Sequence, residues 1–162
     1  LTALRALVLH ELAEVAAAEL QTSSPGARPI ERVLVAIGDC RDSYAYLIRT
    51  GARLARRSDS ELYVLFVGPQ DGRENAETAS VLADAEALTR SLGGVFLRRR
   101  ADNPAAEIVR EAGAQHITQI VVGKSRRSPL RTRFGGTLVE AVLRGTSGID
   151  VHVVADPAQA DP

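Results

Sequence analysis

The stretch QIVVGKSRRSPLRTRFGGTLVEAVL, residues 119–143, decides the fold of this chain. It begins with a short β-branched run that is typical of a buried strand. From Leu138 onward its apolar side chains recur at helical spacing, and Gly135, Gly136 and Thr137 open that helix. The connection between the two is longer than the roughly two to six residues usual at such a position. The stretch therefore predicts a strand and a helix joined by a long loop.

The same alternation of strand and helix extends over the chain after Pro29. The strand-like runs are VLVAI (33–37), LYVLFV (62–67), VFLRR (95–99), QIVVG (119–123) and VHVVA (151–155). Helical periodicities separate them, and Asn103 followed by Pro104 is typical of a helix start. Apolar strands that alternate with helices predict an α/β fold: a five-stranded parallel sheet with helices on both faces, of the Rossmann-like type.

The segment before the sheet predicts a separate amphipathic helix, because Leu4, Leu7 and Leu12 recur at helical spacing. Charged residues interrupt this segment, so neither a membrane span nor a signal peptide is predicted. The expected boundaries are 1–20 for this helix, 21–29 for a linker, 30–156 for the α/β domain and 157–162 for a tail. The chain has no methionine, even at position 1, so we expect it to be a piece of a longer protein.

The charge of the chain is balanced overall but uneven along it. Its 162 residues include 20 Lys+Arg and 20 Asp+Glu, with 45% hydrophobic residues, a composition that excludes a disordered chain. Zero net charge weighs against a nucleic-acid polymer as partner. Residues 124–133, however, carry five positive and no negative charges. This basic loop predicts a partner that is a smaller anion.

The position of the basic loop predicts an anion-binding site. Ligands of parallel α/β sheets bind outside the carboxyl ends of the strands, and the loop leads from such an end to a helix start, whose N–H groups attract phosphate. Four side chains are expected to contact phosphate: Lys124, Arg126, Arg127 and Arg133. Gly135, Gly136 and Thr137 are expected to add backbone donors and a hydroxyl, and Gly123 is expected to border the site. The nucleoside side of the site is expected at Ile37, Gly38, Asp39 and Cys40.

Arg98, Arg99 and Arg100 close the third strand at the same edge of the sheet and are expected to add to the positive field there. One alternative stays open. The basic loop could contact only solvent, or dock on an acidic surface of a longer protein without binding a small ligand.

Catalytic and metal-binding patterns are not discernible in the sequence. His10, His116 and His152 lie on separate elements without a carboxylate cluster at ligand spacing, so we expect satisfied or exposed histidines and no metal. The single cysteine, Cys40, has no obvious base beside it and is expected to line the pocket. The sequence therefore predicts no catalytic residue, and the chain is not expected to be an enzyme.

Gly123, Gly136 and Thr137 carry a resemblance to the universal stress protein family. The ATP-binding members of that family show the pattern G-x2-G-x9-G-[ST] between a strand and a helix, and these three residues match it at the right spacing. Arg126 stands in place of the second glycine. Those members also end the first strand with an aspartate, whose place is taken here by Gly38, with Asp39 displaced by one. The resemblance implies a nucleotide ligand, with a different fit around the phosphates.

Longer phrases resemble the universal-stress segment of the KdpD family, the membrane sensor histidine kinases of the potassium-responsive Kdp system. These phrases are LTALRALVLHELAE, ERVLVAIGD, IVVGKSRRSPLRTRFGGTLVEAVLR and GIDVHVV. The resemblance implies a cytoplasmic regulatory domain whose partners are the remaining domains of the kinase, with the membrane reached only through that parent protein. It also implies ATP or a cyclic dinucleotide as ligand, and a possible homodimer through the last strand, at Val151, His152 and Val153.

Overall fold

A computed structural model describes residues 29–38, 41, 43–124 and 137–155 of the chain. The chain divides after Ile30 into two units, Leu1–Ile30 and Glu31–Pro162, and the whole sheet belongs to the second. The expected amphipathic helix at 1–20 and the expected tail at 157–162 lie outside the described residues. The domain boundaries therefore stay a prediction.

The described residues form an α/β fold with one five-stranded sheet. The strands are β1 (Arg32–Ile37), β2 (Glu61–Gly68), β3 (Val95–Arg100), β4 (Gln119–Gly123) and β5 (Asp150–Val154). The helices are α1 (Tyr44–Arg57), α2 (Ala76–Ser91), α3 (Pro104–Ala114) and α4 (Leu138–Gly145). The strand order is β3-β2-β1-β4-β5, and every neighbouring pair is parallel. The predicted parallel α/β fold is confirmed.

The core lies on both faces of the sheet because successive strand residues point to opposite sides. On one face Val33 and Val35 of β1 pack with Ile48 of α1, and residues of α2 complete that cluster. On the other face Leu34 of β1 packs with Ile108 of α3, and α4 adds to that cluster. The central strand is therefore buried on both sides, which explains its nearly uninterrupted apolar sequence.

Two of the helices begin at asparagine caps. The Asn75 side chain accepts a hydrogen bond from the Thr78 N–H at 2.7 Å, and Asn103 accepts one from the Ala106 N–H at 3.2 Å. Pro104 occupies the first turn of α3, where its missing N–H costs no helical hydrogen bond. The predicted helix start at Asn103 is confirmed.

Helix α1 lies unusually close to the sheet, and two glycines permit this approach. A Cβ atom at Gly51 of α1 would stand 2.1 Å from Cγ2 of Val35 on β1. A Cβ at Gly123, the last residue of β4, would stand 3.1 Å from Cδ1 of Leu47. The start of α1 is therefore seated over the carboxyl ends of β1 and β4, where the candidate site lies.

Candidate functional site

The strand order creates a switch point between β1 and β4. From β1 the chain moves outward through β2 and β3, and it then returns to the other side of β1 to form β4 and β5. Connections that leave two neighbouring strands in opposite directions open a crevice at their carboxyl ends, which is where ligands of such sheets bind. The register pairs Ala36 with Val122, so Gly38 and Lys124 follow the ends of adjacent strands.

The end of β1 offers open space to a ligand. Gly38 is exposed, and no described atom lies within 4 Å of a Cβ built on it. Ile37 is different, since its side chain is buried in the core beneath α1 and can offer only its backbone to the edge. Asp39 and Cys40, the other two residues expected on the nucleoside side, lie outside the described residues.

The end of β4 fixes the backbone of one of the expected basic residues. The Lys124 N–H donates to the carbonyl of Val154 at 2.8 Å, which extends the pairing with β5 by one residue. The Lys124 side chain is exposed, so its ammonium can reach an anion at the switch point. Gly123 has mainly a packing role, because Leu47 occupies the space that a side chain would need.

The start of α4 carries a carboxylate that the sequence-based site did not include. The Thr137 hydroxyl accepts a hydrogen bond from the Glu140 N–H at 3.2 Å, and the Glu140 carboxylate accepts one from the Thr137 N–H at 2.9 Å. This reciprocal pair is a capping box, and its signal is the spacing Thr-x-x-Glu. Glu140 therefore already occupies one of the backbone donors expected for phosphate.

Five further residues of the expected phosphate site lie in the part of the chain that the structure leaves undescribed. They are Arg126, Arg127, Arg133, Gly135 and Gly136. Their role stays a prediction. In the described structure, Gly38 and Lys124 follow adjacent strand ends, and Thr137 is the N-cap residue of α4.

The three arginines at the end of β3 do not all add to the positive field. Arg98 pairs with the carboxylate of Glu74. Arg99 forms a bidentate salt bridge with Glu111, with Nε at 2.9 Å from Oε2 and Nη2 at 3.1 Å from Oε1. The expectation is wrong for these two, because each charge is balanced by a neighbouring carboxylate.

The Glu111 carboxylate ties β3 to α3. Glu111 is 1% exposed, and its carboxylate accepts a further hydrogen bond from Nε2 of Gln115 at 2.9 Å. Burial by itself would raise the pKa of Glu111, but the hydrogen bonds from Gln115 and Arg99 and the charges of Arg99 and Arg110 outweigh burial and lower it. Glu111 is therefore a charged structural residue and not a candidate acid or base.

Glu74 places a second buried carboxylate at the carboxyl edge of the sheet. Its Oε1 atom is shielded from solvent and has no hydrogen-bond partner among the described residues. A Cβ at Gly68, the last residue of β2, would stand 3.1 Å from this oxygen. Neither spacing nor periodicity marks Glu74 in the sequence, because its environment depends on how the loop before α2 folds over β2.

The two described histidines do not belong to the candidate site, since His152 pairs with Val121 in the middle of β4 and His116 lies before that strand. His152 Nε2 lies 3.1 Å from Oε1 of Gln119 at the first residue of β4, and His116 is exposed in the turn before that strand. The expectation of satisfied or exposed histidines is confirmed for these two, while His10 lies outside the described residues.

Within residues 29–38, 41, 43–124 and 137–155, no group of three His, Cys, Asp or Glu could hold a metal ion. None of the four described helices is long and apolar enough to cross a membrane.

The fold and the crevice define a small doubly wound α/β domain with its candidate ligand site at the switch point. The sequence model of the universal stress protein family matches residues 29–155, so the chain belongs to that family. Solved structures share the fold. A universal stress protein in complex with cAMP superimposes with a TM-score of 0.61 at 20% identity, covering 79% of this chain and 98% of that one. The Archaeoglobus fulgidus universal stress protein in complex with dAMP gives 0.55 at 24% identity, covering 76% and 96%.

The expected likeness to KdpD proteins is confirmed by two relatives. The putative sensor protein KdpD of Synechocystis sp. is 33% identical over 160 residues, which are 96% of this chain and 42% of that protein. The sensor protein KdpD of Mycobacterium tuberculosis is 34% identical over 128 residues, which are 79% of this chain and 15% of that protein. The chain thus spans less than half the length of these relatives and corresponds to one segment of each.

Proposed function

We propose that the chain is a regulatory domain of a KdpD-type sensor histidine kinase that binds a nucleotide. The similarity to segments of two KdpD proteins supports this proposal. The domain would comprise residues 30–156 and act on the cytoplasmic side of the membrane in two-component potassium signalling. Its partners would be the other domains of the kinase, and it would perform no catalysis itself.

The observation that carries the proposal is the switch point itself, where Gly38 and Lys124 follow the ends of two adjacent strands. Gly38 leaves space above β1, and the exposed Lys124 side chain follows the adjacent strand. A negatively charged ligand would therefore find open volume beside a cation. Similar crevices in parallel α/β sheets take the phosphates and the sugar of nucleotides.

Each part of the site would have a distinct task. Lys124 and the three loop arginines, Arg126, Arg127 and Arg133, would neutralise the phosphates. The backbone at 135–137 would donate hydrogen bonds at the start of α4. Gly38 and Asp39 would line the nucleoside, with the Ile37 backbone and the small Cys40 side chain beside them. Ligand binding would then favour one conformation of residues 124–137, and neighbouring domains could bind preferentially to that conformation.

The class of ligand is supported by family members whose structures contain cAMP and dAMP. ATP and cyclic dinucleotides remain the two candidates for this chain. Arg126, which replaces a glycine of the ATP pattern, would add a cation where ATP-binding members leave room for phosphate. This favours a ligand whose phosphate is held by side-chain charge rather than by a glycine-rich backbone.

Thermal unfolding of the chain against a panel of ATP, ADP, cAMP, cyclic di-AMP and cyclic di-GMP tests the proposal. A ligand at about 100 times its Kd adds about 2.7 kcal/mol of stability. We expect at least one member of the panel to raise the midpoint by several degrees. If none of the five does so at millimolar concentration, the nucleotide-binding proposal is wrong.

The loop assignment is tested separately with Arg126→Ala and Arg127→Ala. Each should weaken the ligand identified above about tenfold, because each removes a charge-assisted contact with phosphate. Arg73→Ala is the matched control, since Arg73 is an exposed arginine of the loop after β2. Equal affinity in all three variants would contradict the loop assignment while leaving nucleotide binding intact.

The second candidate function is dimerisation without a ligand, through the edge strand β5. Val153 on this strand is 47% exposed, and in the described sheet β5 has a partner, β4, on one side only. An apolar residue on such an edge favours pairing with a second copy. Sedimentation of the chain and of Val153→Lys tests this function: a dimer that the substitution dissociates supports it, and a monomer at every concentration excludes it.

A further inference from the structure

Helix α1 carries a stripe of four arginines on its outer face. We call Arg49, Arg53, Arg56 and Arg57 the arginine stripe; all four side chains are exposed. Their spacing of four, three and one residues places them on one side of the helix, over about 12 Å of its length. The helix contains no acidic residue in its first turn or beyond. The stripe is therefore a narrow line of positive charge.

The arginine stripe differs from most other described arginines in how its charges are balanced, and only Arg100 and Arg144 likewise have no ion-pair partner among the described residues. Seven arginines elsewhere in the described part of the chain pair with a carboxylate: Arg32, Arg41, Arg73, Arg90, Arg98, Arg99 and Arg110. No described carboxylate lies within ion-pair distance of a stripe arginine. Arg53 donates only to the Thr50 hydroxyl, at 3.0 Å. The local fold therefore supplies these guanidinium groups with no counter-charge among the residues it describes.

A groove adjoins the stripe and shares one residue with it. The groove has a volume of about 460 Å³ and lies at the amino ends of β2 and β3, between the last turns of α1 and α2. Its apolar wall includes Ala52, Ala55, Leu92 and Val95, and Val95 is 48% exposed. Arg56 forms part of its rim. Positive charge and an exposed apolar surface thus meet at one place.

We propose that the arginine stripe and this groove together dock an acidic polypeptide segment that carries one apolar side chain. Carboxylates spaced about one helical turn apart would pair with the stripe, and the apolar side chain would cover Val95 in the groove. Guanidinium groups suit this partner because they bind carboxylates through two parallel hydrogen bonds. The apolar contact would set the register of the segment on the helix.

The surroundings of the stripe favour a polypeptide over a membrane surface. Helix α2 packs beside α1 on the same face of the sheet and exposes Asp84, and Asp59 lies on the rim of the groove. Neither acid forms an ion pair among the described residues. A flat anionic bilayer would meet these acids together with the arginines and would be repelled by them. A segment one helix wide can follow the stripe and avoid them.

This docking surface is independent of the proposed nucleotide site. The groove is at the amino ends of the strands, whereas Gly38 and Lys124 follow the carboxyl ends. One surface can therefore fail in an experiment while the other is retained.

Fluorescence anisotropy with a labelled synthetic helical peptide tests the proposal on the whole 162-residue chain. The probe has glutamates at i, i+4 and i+7 and a single leucine about one turn beyond. We expect saturable binding that weakens as salt is raised. Replacing Arg49, Arg53 and Arg57 together with glutamine should weaken it about tenfold. Val95→Asp should weaken binding of the probe as well. In this variant, replacing the leucine of the probe should cause no further loss of affinity.

Replacing Arg73, Arg100 and Arg144 together with glutamine serves as the charge-matched control, because all three side chains are exposed and lie elsewhere in the chain. Circular dichroism should show all variants folded, since every substituted side chain is exposed. Three results would overturn the proposal: no binding of the probe, equal binding by the triple variant and the control, or tighter arginine-dependent binding to phosphatidylglycerol vesicles than to the probe.

Discussion

At the scale of single residues, Glu140 places a negative charge at the helix start where the proposed phosphate would bind. Its carboxylate accepts the Thr137 N–H at the start of α4. An arriving phosphate would be repelled by this charge and would compete for the same donor. The residue that stabilises the helix end therefore opposes the ligand that the helix end would otherwise attract.

Glu140→Gln should raise the affinity for a phosphate-bearing ligand several-fold. Glutamine can keep the reciprocal hydrogen bond of the capping box while it removes the negative charge. Isothermal titration with the nucleotide found in the thermal panel measures the change. Glu107→Gln, in the first turn of α3, is the matched control and should leave affinity unchanged. Unchanged affinity of Glu140→Gln would show that phosphate does not approach the start of α4.

Glu111 governs stability at the same scale. Glu111→Gln should lower the free energy of unfolding at pH 7 by about 2–3 kcal/mol, because it leaves Arg99 without its counter-charge. The loss should fall below that of a fully buried pair, since the Arg99 side chain is 35% exposed. Chemical denaturation measures it. Replacing both residues with apolar ones should recover much of the loss, and no recovery would contradict this electrostatic origin.

The pH dependence of stability follows from the same carboxylate. The folded protein lowers the pKa of Glu111 below its unfolded value, so its contribution is complete above about pH 4.5 and is lost as the pH falls through the folded pKa. Arg32 and Arg110 lower the pKa of Glu61 and Glu107 in the same direction. The free energy of unfolding should therefore fall steeply as the pH is lowered from 7 to 2, and it should fall less steeply in Glu111→Gln. An equally steep fall in the variant would show that other groups cause the acid sensitivity.

At the scale of secondary-structure elements, the close seating of α1 on the sheet shapes the switch point. Gly51 allows α1 to touch Val35 of β1, and Gly123 allows Leu47 to rest on the end of β4. These contacts fix the start of α1 over the strand ends that border the crevice. Packing at this helix and binding at the crevice should therefore be coupled.

Gly51→Ala should destabilise the protein although alanine is the better helix former. The added methyl would stand 2.1 Å from Val35 Cγ2, and relief requires α1 to move from the sheet, which costs about 1–3 kcal/mol. Gly113→Ala in α3 is the matched control, because no described atom lies within 4 Å of the added Cβ. It should be neutral or stabilise by up to about 1 kcal/mol. Equal effects of the two substitutions on the melting temperature would contradict the tight packing of α1.

At the scale of the whole molecule, the strands, the helices and the fold class could be predicted from the sequence because burial on both faces of a sheet demands apolar runs. The contacts between distant residues could not. Arg99 and Glu111 meet only because β3 lies beside α3, and no local pattern records that pairing. The capping role of Glu140 could have been predicted from its spacing to Thr137. Gly38 and Lys124 lie at adjacent strand ends as expected, while the side chain of Ile37 is buried in the core, and ligand binding at these residues stays a prediction.

Backbone amide chemical shifts of the labelled chain, recorded while nucleotide is added, test the central claim most directly. A ligand in the switch-point crevice should perturb the amides of Gly38, Lys124 and Thr137 most strongly, since they border it. The amide of Gly93, beside the groove at the opposite end of the sheet, should stay unchanged. Shifts centred on Gly93, or no shifts at saturating nucleotide, would contradict a nucleotide site between β1 and β4.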